Sequence, residues 1–153
     1  MDEIVARSMA KWPNVPAVFG WLELDRRGNW RIKGERIGNA ALREFIARNY
    51  AADEHGCWYF QNGPQRVYVA LAYTPFVLHY EAERLFDQCG RPAEALETWL
   101  DDEGSVLIRA LQGIGLLDDR DLERYAESGE QLPRIRRAEV ASRFGFIPEP
   151  KKT

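Results

Sequence analysis

Leu22-Glu23-Leu24-Asp25-Arg26-Arg27-Gly28-Asn29-Trp30-Arg31-Ile32 decides the reading of this chain. Asp at the first position of a type I turn hydrogen-bonds its own backbone. Gly three residues later takes the left-handed conformation of a G1 bulge, which closes a three-residue hairpin loop. Pairing Asp25 with Asn29 then sets Leu24 opposite Trp30, Glu23 opposite Arg31 and Leu22 opposite Ile32, so apolar pairs share one face and an opposite-charge pair the other. The same chemistry recurs at Asp101-Asp102-Glu103-Gly104, where Leu100 faces Val106, Thr98 faces Ile108 and Glu97 faces Arg109. A copy at Asp53-Glu54-His55-Gly56 has only Tyr50 to Ala52 as its incoming arm, and reads as a hairpin or as a turn between a helix and a strand. The irregular spacing of the three copies excludes a solenoid or propeller period.

Outward from these turns, Ile4, Val5, Ser8, Met9 and Trp12 recur at helical spacing, and Pro13 forbids continuation of that helix. Asn39 is placed to cap a second helix carrying Leu42, Phe45 and Ile46. Arg66 to Tyr73 alternates as a half-buried strand, with Val67, Val69, Leu71 and Tyr73 on one face. Asp118 to Glu127 reads as a short final helix with acidic residues in its first turn. Val77 to Phe86 and Ala93 to Trp99 suit helix or strand, and the hairpin register tips both to strand. Arg66 to Leu111 then becomes a meander turning near Thr74-Pro75, Cys89-Gly90-Arg91-Pro92 and Asp101 to Gly104. The expected fold is α+β, an antiparallel sheet of hairpins and meander with a few short helices packed against it.

The chain has 153 residues, 45% apolar and 29% charged, which is enough to bury a core without staples. The expectation is one α+β domain over 1–148 with a short flexible tail at 149–153. No run is long and apolar enough to span a membrane and no signal peptide is evident, so the cytoplasm is the expected compartment. Cys57 and Cys89 are too few for a disulfide framework and read as free thiols.

Charge is distributed unevenly. Residues 94 to 130 hold eleven Asp or Glu against three Arg, whereas residues 134 to 153 hold six Arg or Lys against two Glu. The basic stretch, with Arg134, Arg136, Arg137 and Arg143 near Phe144 and Phe146, suits phosphate and base contacts. It equally suits a strap held over its own domain by the acidic segment upstream.

Catalytic and metal chemistry find little support. His55, Cys57, His79 and Cys89 lack the spacing of a zinc site. Asp53, His55 and Cys57 are too close in sequence to converge as a triad, and no serine sits in a nucleophile elbow. Gly113-Ile114-Gly115 lacks the third glycine of a dinucleotide fingerprint and reads as a turn. The acidic clusters read as a solvated turn and a helix start, without calcium-loop spacing. No cofactor, metal or catalytic residue is expected.

What remains is a surface. If Trp58, Phe60, Val67 and Val69 point inward, alternation turns Tyr59, Gln61, Arg66 and Tyr68 outward around the Gln61-Asn62-Gly63-Pro64 turn. Tyr and Arg combine contact area with hydrogen bonding, so this face is the candidate contact for a protein partner or a second copy. The same residues also suit a sheet face covered by a helix of the same domain. The leading functional expectation is therefore a non-catalytic protein-interaction module. The alternative is RNA or single-stranded nucleic-acid binding through the aromatic face and Arg134, Arg136, Arg137 and Arg143.

Several segments together carry a resemblance: Asn14-Val15-Pro16, Gly20-Trp21-Leu22, Trp58-Tyr59-Phe60-Gln61-Asn62-Gly63-Pro64, Gly115-Leu116-Leu117-Asp118-Asp119 and Phe144-Gly145-Phe146-Ile147-Pro148. The chain resembles, over nearly its whole length, a family of small uncharacterised proteobacterial proteins. That resemblance implies no reaction, cofactor or site residue.

Overall fold

All three Asp-x-x-Gly segments close hairpins, and a fourth, Asp87-Gln88-Cys89-Gly90, does the same. In each loop the Asp N–H donates to the carbonyl four residues on, at 3.0, 2.8, 2.9 and 2.9 Å for Asp25, Asp53, Asp87 and Asp101. In each, Asp Oδ1 accepts the N–H of that same fourth residue. Gly28, Gly56, Gly90 and Gly104 all take φ between 81° and 87°, the left-handed region that favours glycine. The computed structural model that shows this describes residues 1–128 and 131–152.

The chain forms two compact units. The first comprises residues 1–25, 29–72 and 145–153, and the second residues 26–28 and 73–144. The first contains α1 (Glu3–Lys11), β1 (Val18–Leu24), β2 (Trp30–Ile32), β3 (Glu35–Arg36), α2 (Ala40–Arg48), β4 (Tyr50–Ala52), β5 (Trp58–Asn62) and β6 (Gln65–Leu71). Its sheet runs β3-β2-β1-β6-β5-β4. The β1–β2 register has Leu24 on Trp30 and Leu22 on Ile32, as the loop chemistry requires. Asn39 caps α2 by accepting the Leu42 N–H at 3.0 Å. Phe45 of α2 meets Phe60 edge to face at 5.5 Å, and Leu24, Trp30, Ile46 and Val69 are fully buried.

The second unit contains β7 (Phe76–Glu81), β8 (Arg84–Phe86), β9 (Pro92–Ala93), β10 (Glu97–Asp101), β11 (Val106–Ala110), β12 (Gly113–Leu117), α3 (Glu123–Ser128), β13 (Arg134–Ile135) and α4 (Arg137–Phe144). Its sheet runs β13-β10-β11-β12-β7-β8-β9. The β10–β11 register pairs Leu100 with Val106 and Glu97 with Arg109. Leu78, Leu107, Ile108 and Val140 form its buried centre.

The α+β class holds, and both sheets are mixed. β1 runs parallel to β6, β7 to β12 and β10 to β13, which corrects the expected antiparallel sheet to two sheets of mixed direction. The meander is corrected too: β6 lies between β1 and β5 while β7 pairs with β12 and β8. Gly113-Ile114-Gly115 is strand, not turn. A Cβ at Gly115 would lie 2.8 Å from Leu78 Cγ, and one at Gly113 3.1 Å from Phe76, so the glycines make room for the neighbouring parallel strand. The helix expected at 118–127 is two pieces, a 3-10 turn at Asp119–Asp121 capped by Asp118, then α3. It is not the last helix, because residues 137–144 form α4, with Val140 buried. No helix among the described residues is long and apolar enough to cross a membrane.

Candidate functional site

Strand pairing puts Tyr59 opposite Tyr68 and Gln61 opposite Arg66, so the four expected contact residues do share one face. Their outward exposure is corrected: Tyr59 is 7% and Gln61 1% exposed, while Arg66 and Tyr68 are half-buried. The face is closed by its own chemistry. Phe19 stacks on Tyr68 at 4.7 Å, and the Arg66 guanidinium lies 3.9 Å over the Tyr59 ring. The Tyr68 hydroxyl donates to Asp53 Oδ2 at 3.1 Å, tying this face to the β4–β5 loop. Arg66 and Tyr68 therefore also support the fold.

The basic stretch is fastened within the second unit. Arg134 sits on β13 opposite Leu100. Arg136 lies 3.7 Å from Glu139. Arg137 ion-pairs with Glu103 at 2.8 Å, and its N–H donates to Asp102 at 2.7 Å. Arg143 stacks on Trp99 at 5.4 Å. The acidic turn thus captures the basic segment, as the charge asymmetry allows.

The thiols are unsuited to nucleophilic work. Burial, then the Asp87 carboxylate, pushes the Cys89 thiol up to about 12. Burial, with Asp53 nearby, also raises Cys57, so neither holds an appreciable thiolate at neutral pH. Asp53 spends Oδ1 on the N–H groups of His55 and Cys57, and the His55 ring points to solvent beside Glu54. Among the described residues no three His, Cys, Asp or Glu side chains gather as metal ligands.

Sequence reasoning missed a cleft in the first unit. It holds about 450 Å³ and is lined by Val18, Trp21 and Leu22 of β1, Ile32 of β2, Leu42 and Ile46 of α2, Phe60 and Asn62 of β5, and Gln65 and Val67 of β6. Register explains the lining: Phe60 pairs with Val67, Val67 with Val18, and Leu22 with Ile32. Between Val18 and Leu22 the pairing with β6 shifts, and Gly20 at φ 76° absorbs the bulge. Within that bulge Trp21 is left 50% exposed, beside Ile32 at 38% and Leu42 at 37%. Gly20 inside an apolar run was the available sequence signal. None of the ten lining residues titrates, and two are amides. Such a surface can exclude water and hold an apolar group; it cannot move a proton.

The family profile described as "Protein of unknown function (DUF2946)" matches residues 1–151. No curated protein matches the chain. Among solved structures, the chain is similar to a DUF1285 family protein from Silicibacter pomeroyi DSS-3, with 16% identity over 86% of each chain and a TM-score of 0.57. It is also similar to a DUF1285 family protein from Shewanella baltica OS155, with 14% identity over 71% of this chain and 92% of the other, and a TM-score of 0.53. At these identities the likeness concerns the fold alone.

Proposed function

The chain belongs to the family of proteins of unknown function matched over residues 1–151, and from that premise we propose that it is a non-catalytic protein-interaction module of the cytoplasm. The observation that carries this reading is the cleft between α2 and the β1–β2–β5–β6 face, where Trp21, Ile32 and Leu42 keep large apolar surface in contact with water. Half-exposed apolar side chains gathered around a concavity mark a surface that a partner covers. The raised thiol pKa values argue against cysteine catalysis, and two free thiols suit a reducing compartment. Arg66 and Tyr68, the accessible half of the face first singled out, supply a secondary contact.

A photo-crosslinking residue at position 42 of the full chain, in its own host, should trap a discrete protein, and Ile32→Glu should abolish that adduct. Absence of an adduct, or its persistence in the Ile32→Glu variant, sinks the reading. RNA binding draws less support, because Arg136 and Arg137 are paired with carboxylates and Arg143 is stacked on Trp99. A steep loss of RNA affinity with salt, removed by neutralising Arg134, Arg136 and Arg137, would favour it instead.

A further inference from the structure

Beside the cleft, against the ring of its lining residue Trp21, stands an exposed cation held in an uncommon backbone conformation. Ile32 pairs with Glu35 across a two-residue turn in which Lys33 and Gly34 have φ of 50° and 84°. That turn type ordinarily takes Asn-Gly. Lys33 is fixed there by its N–H, which donates to the Trp21 carbonyl at 3.0 Å, and its ammonium lies 4.3 Å from the centre of the Trp21 ring. Among the described residues Lys33 makes no ion pair, and no acidic side chain lines the cleft. An apolar cleft with an ammonium against one of its lining rings is complementary to an apolar group that carries a negative charge.

The remaining polar lining narrows the chemistry. Asn62 pairs with Gln65 at the end of the β5–β6 hairpin, and their amides can both donate to and accept from a peptide group. β1 separates β2 from β6, so the side carrying Lys33 and the side carrying Gln65 are on the order of 10 Å apart, the reach of about three extended residues. Because the ammonium sits directly on Trp21, the carboxylate it meets must lie close to the apolar group itself. A C-terminal residue meets that demand, since its side chain and α-carboxylate share one carbon. An internal Asp or Glu carries its carboxylate on a different residue from the buried group.

Resting on the interaction reading above, we propose that the cleft receives the C-terminus of the partner chain, its bulky apolar last side chain among Leu22, Ile32, Leu42 and Phe60 and its free α-carboxylate on Lys33.

The test uses the full chain and two acetylated Ala-Leu-Phe peptides, one ending in a free carboxylate and one in a carboxamide, titrated calorimetrically at low ionic strength. The acid should bind about three- to five-fold tighter, the scale of one exposed ion pair. The difference should vanish in high salt. Lys33→Asn keeps a residue that tolerates the left-handed region and removes the ammonium; it should weaken the acid to the level of the amide and leave the amide unchanged, with circular dichroism confirming the fold. Equal binding of the two peptides to the unmodified chain overturns the carboxylate assignment while the apolar cleft reading stands. Decanoate binding as tightly as the peptide acid overturns it in favour of an alkyl acid. If neither peptide binds, or binding survives Leu42→Glu, the cleft reading fails as well.

Discussion

Three of the four loop aspartates divide their two oxygens between local and tertiary work, while Asp25 gives Oδ2 to Asn29 and Arg31 of its own hairpin. Oδ1 holds the hairpin loop, while Oδ2 of Asp53, Asp87 and Asp101 takes a donor from Tyr68, Gln112 and Tyr73 respectively. The Tyr73 hydroxyl donates to Asp101 at 2.8 Å, both groups are buried, and burial together with that carboxylate raises the phenol above its ordinary value. Tyr73→Phe removes the donor and leaves a buried carboxylate oxygen short of a partner. The expected loss is about 1 to 3 kcal/mol, read as a lower urea midpoint at unchanged slope; an unchanged midpoint would contradict this account of the pair. The local half of this arrangement was legible, because Asp reaches its own backbone whatever surrounds it. The partner of Oδ2 was not, since Tyr73 is 28 residues from Asp101.

At the scale of elements, the four loops are alike in backbone and unlike in surroundings. Gly104 has φ 84° and open space where a Cβ would stand, whereas Gly56 has φ 87° and a Cβ there would fall 2.2 Å from the Gly145 carbonyl oxygen. That approach comes from the C-terminal segment, whose Ile147 N–H donates to the Gly56 carbonyl at 2.9 Å and whose Phe146 is buried. Gly104→Ala should cost only left-handed strain, about 1 to 2 kcal/mol. Gly56→Ala adds steric overlap and should cost about 3 to 5 kcal/mol in all. Thermal and urea denaturation of the two variants side by side check the order, and equal losses would show that residues 145–147 do not brace this loop. The α4 helix illustrates the opposite difficulty. Its short stretch carries one fully buried residue, Val140, and its arginines spoke louder in the sequence than its weak amphipathic pattern.

Across the whole molecule, carboxylates held in their charged form make stability depend on acid. Burial pushes Asp118 up, but the Arg120 guanidinium and N–H outweigh it and hold the carboxyl below its usual value. Burial likewise opposes ionisation of Asp53, and the N–H groups of Cys57 and His55 with the Tyr68 hydroxyl prevail. A depressed carboxylate contributes stability above the unfolded value of about 3.9, and that contribution drains away as pH falls through 4 towards the lower folded values. Asp53 belongs to the first unit and Asp118 to the second, so both units should weaken together. The urea midpoint should be level between pH 7 and about 5 and fall below about 4, with a smaller fall in Asp118→Asn. A midpoint that stays level down to pH 2.5 would refute the linkage.

The sequence by itself determined the hairpins at Asp25 and Asp101, their registers and the left-handed conformation of Gly28 and Gly104, because a short loop fixes pairing within a few residues of itself and no distant contact need be known. It also determined the Asn39 cap and the end of α1 before Pro13, for the same local reason. Tertiary structure decided which hairpins share a sheet. The parallel pairs β1 with β6, β7 with β12 and β10 with β13 join strands distant in the chain, whose choice of partner depends on burying whole faces and not on any turn. Alternation placed Tyr59, Gln61, Arg66 and Tyr68 on one face, but only packing could say that Tyr59 and Gln61 are covered while Arg66 and Tyr68 stay half-buried. The cleft likewise needed the fold, since Trp21, Ile32 and Leu42 come from three elements and meet only when β1 bulges at Gly20 and α2 lies over the sheet.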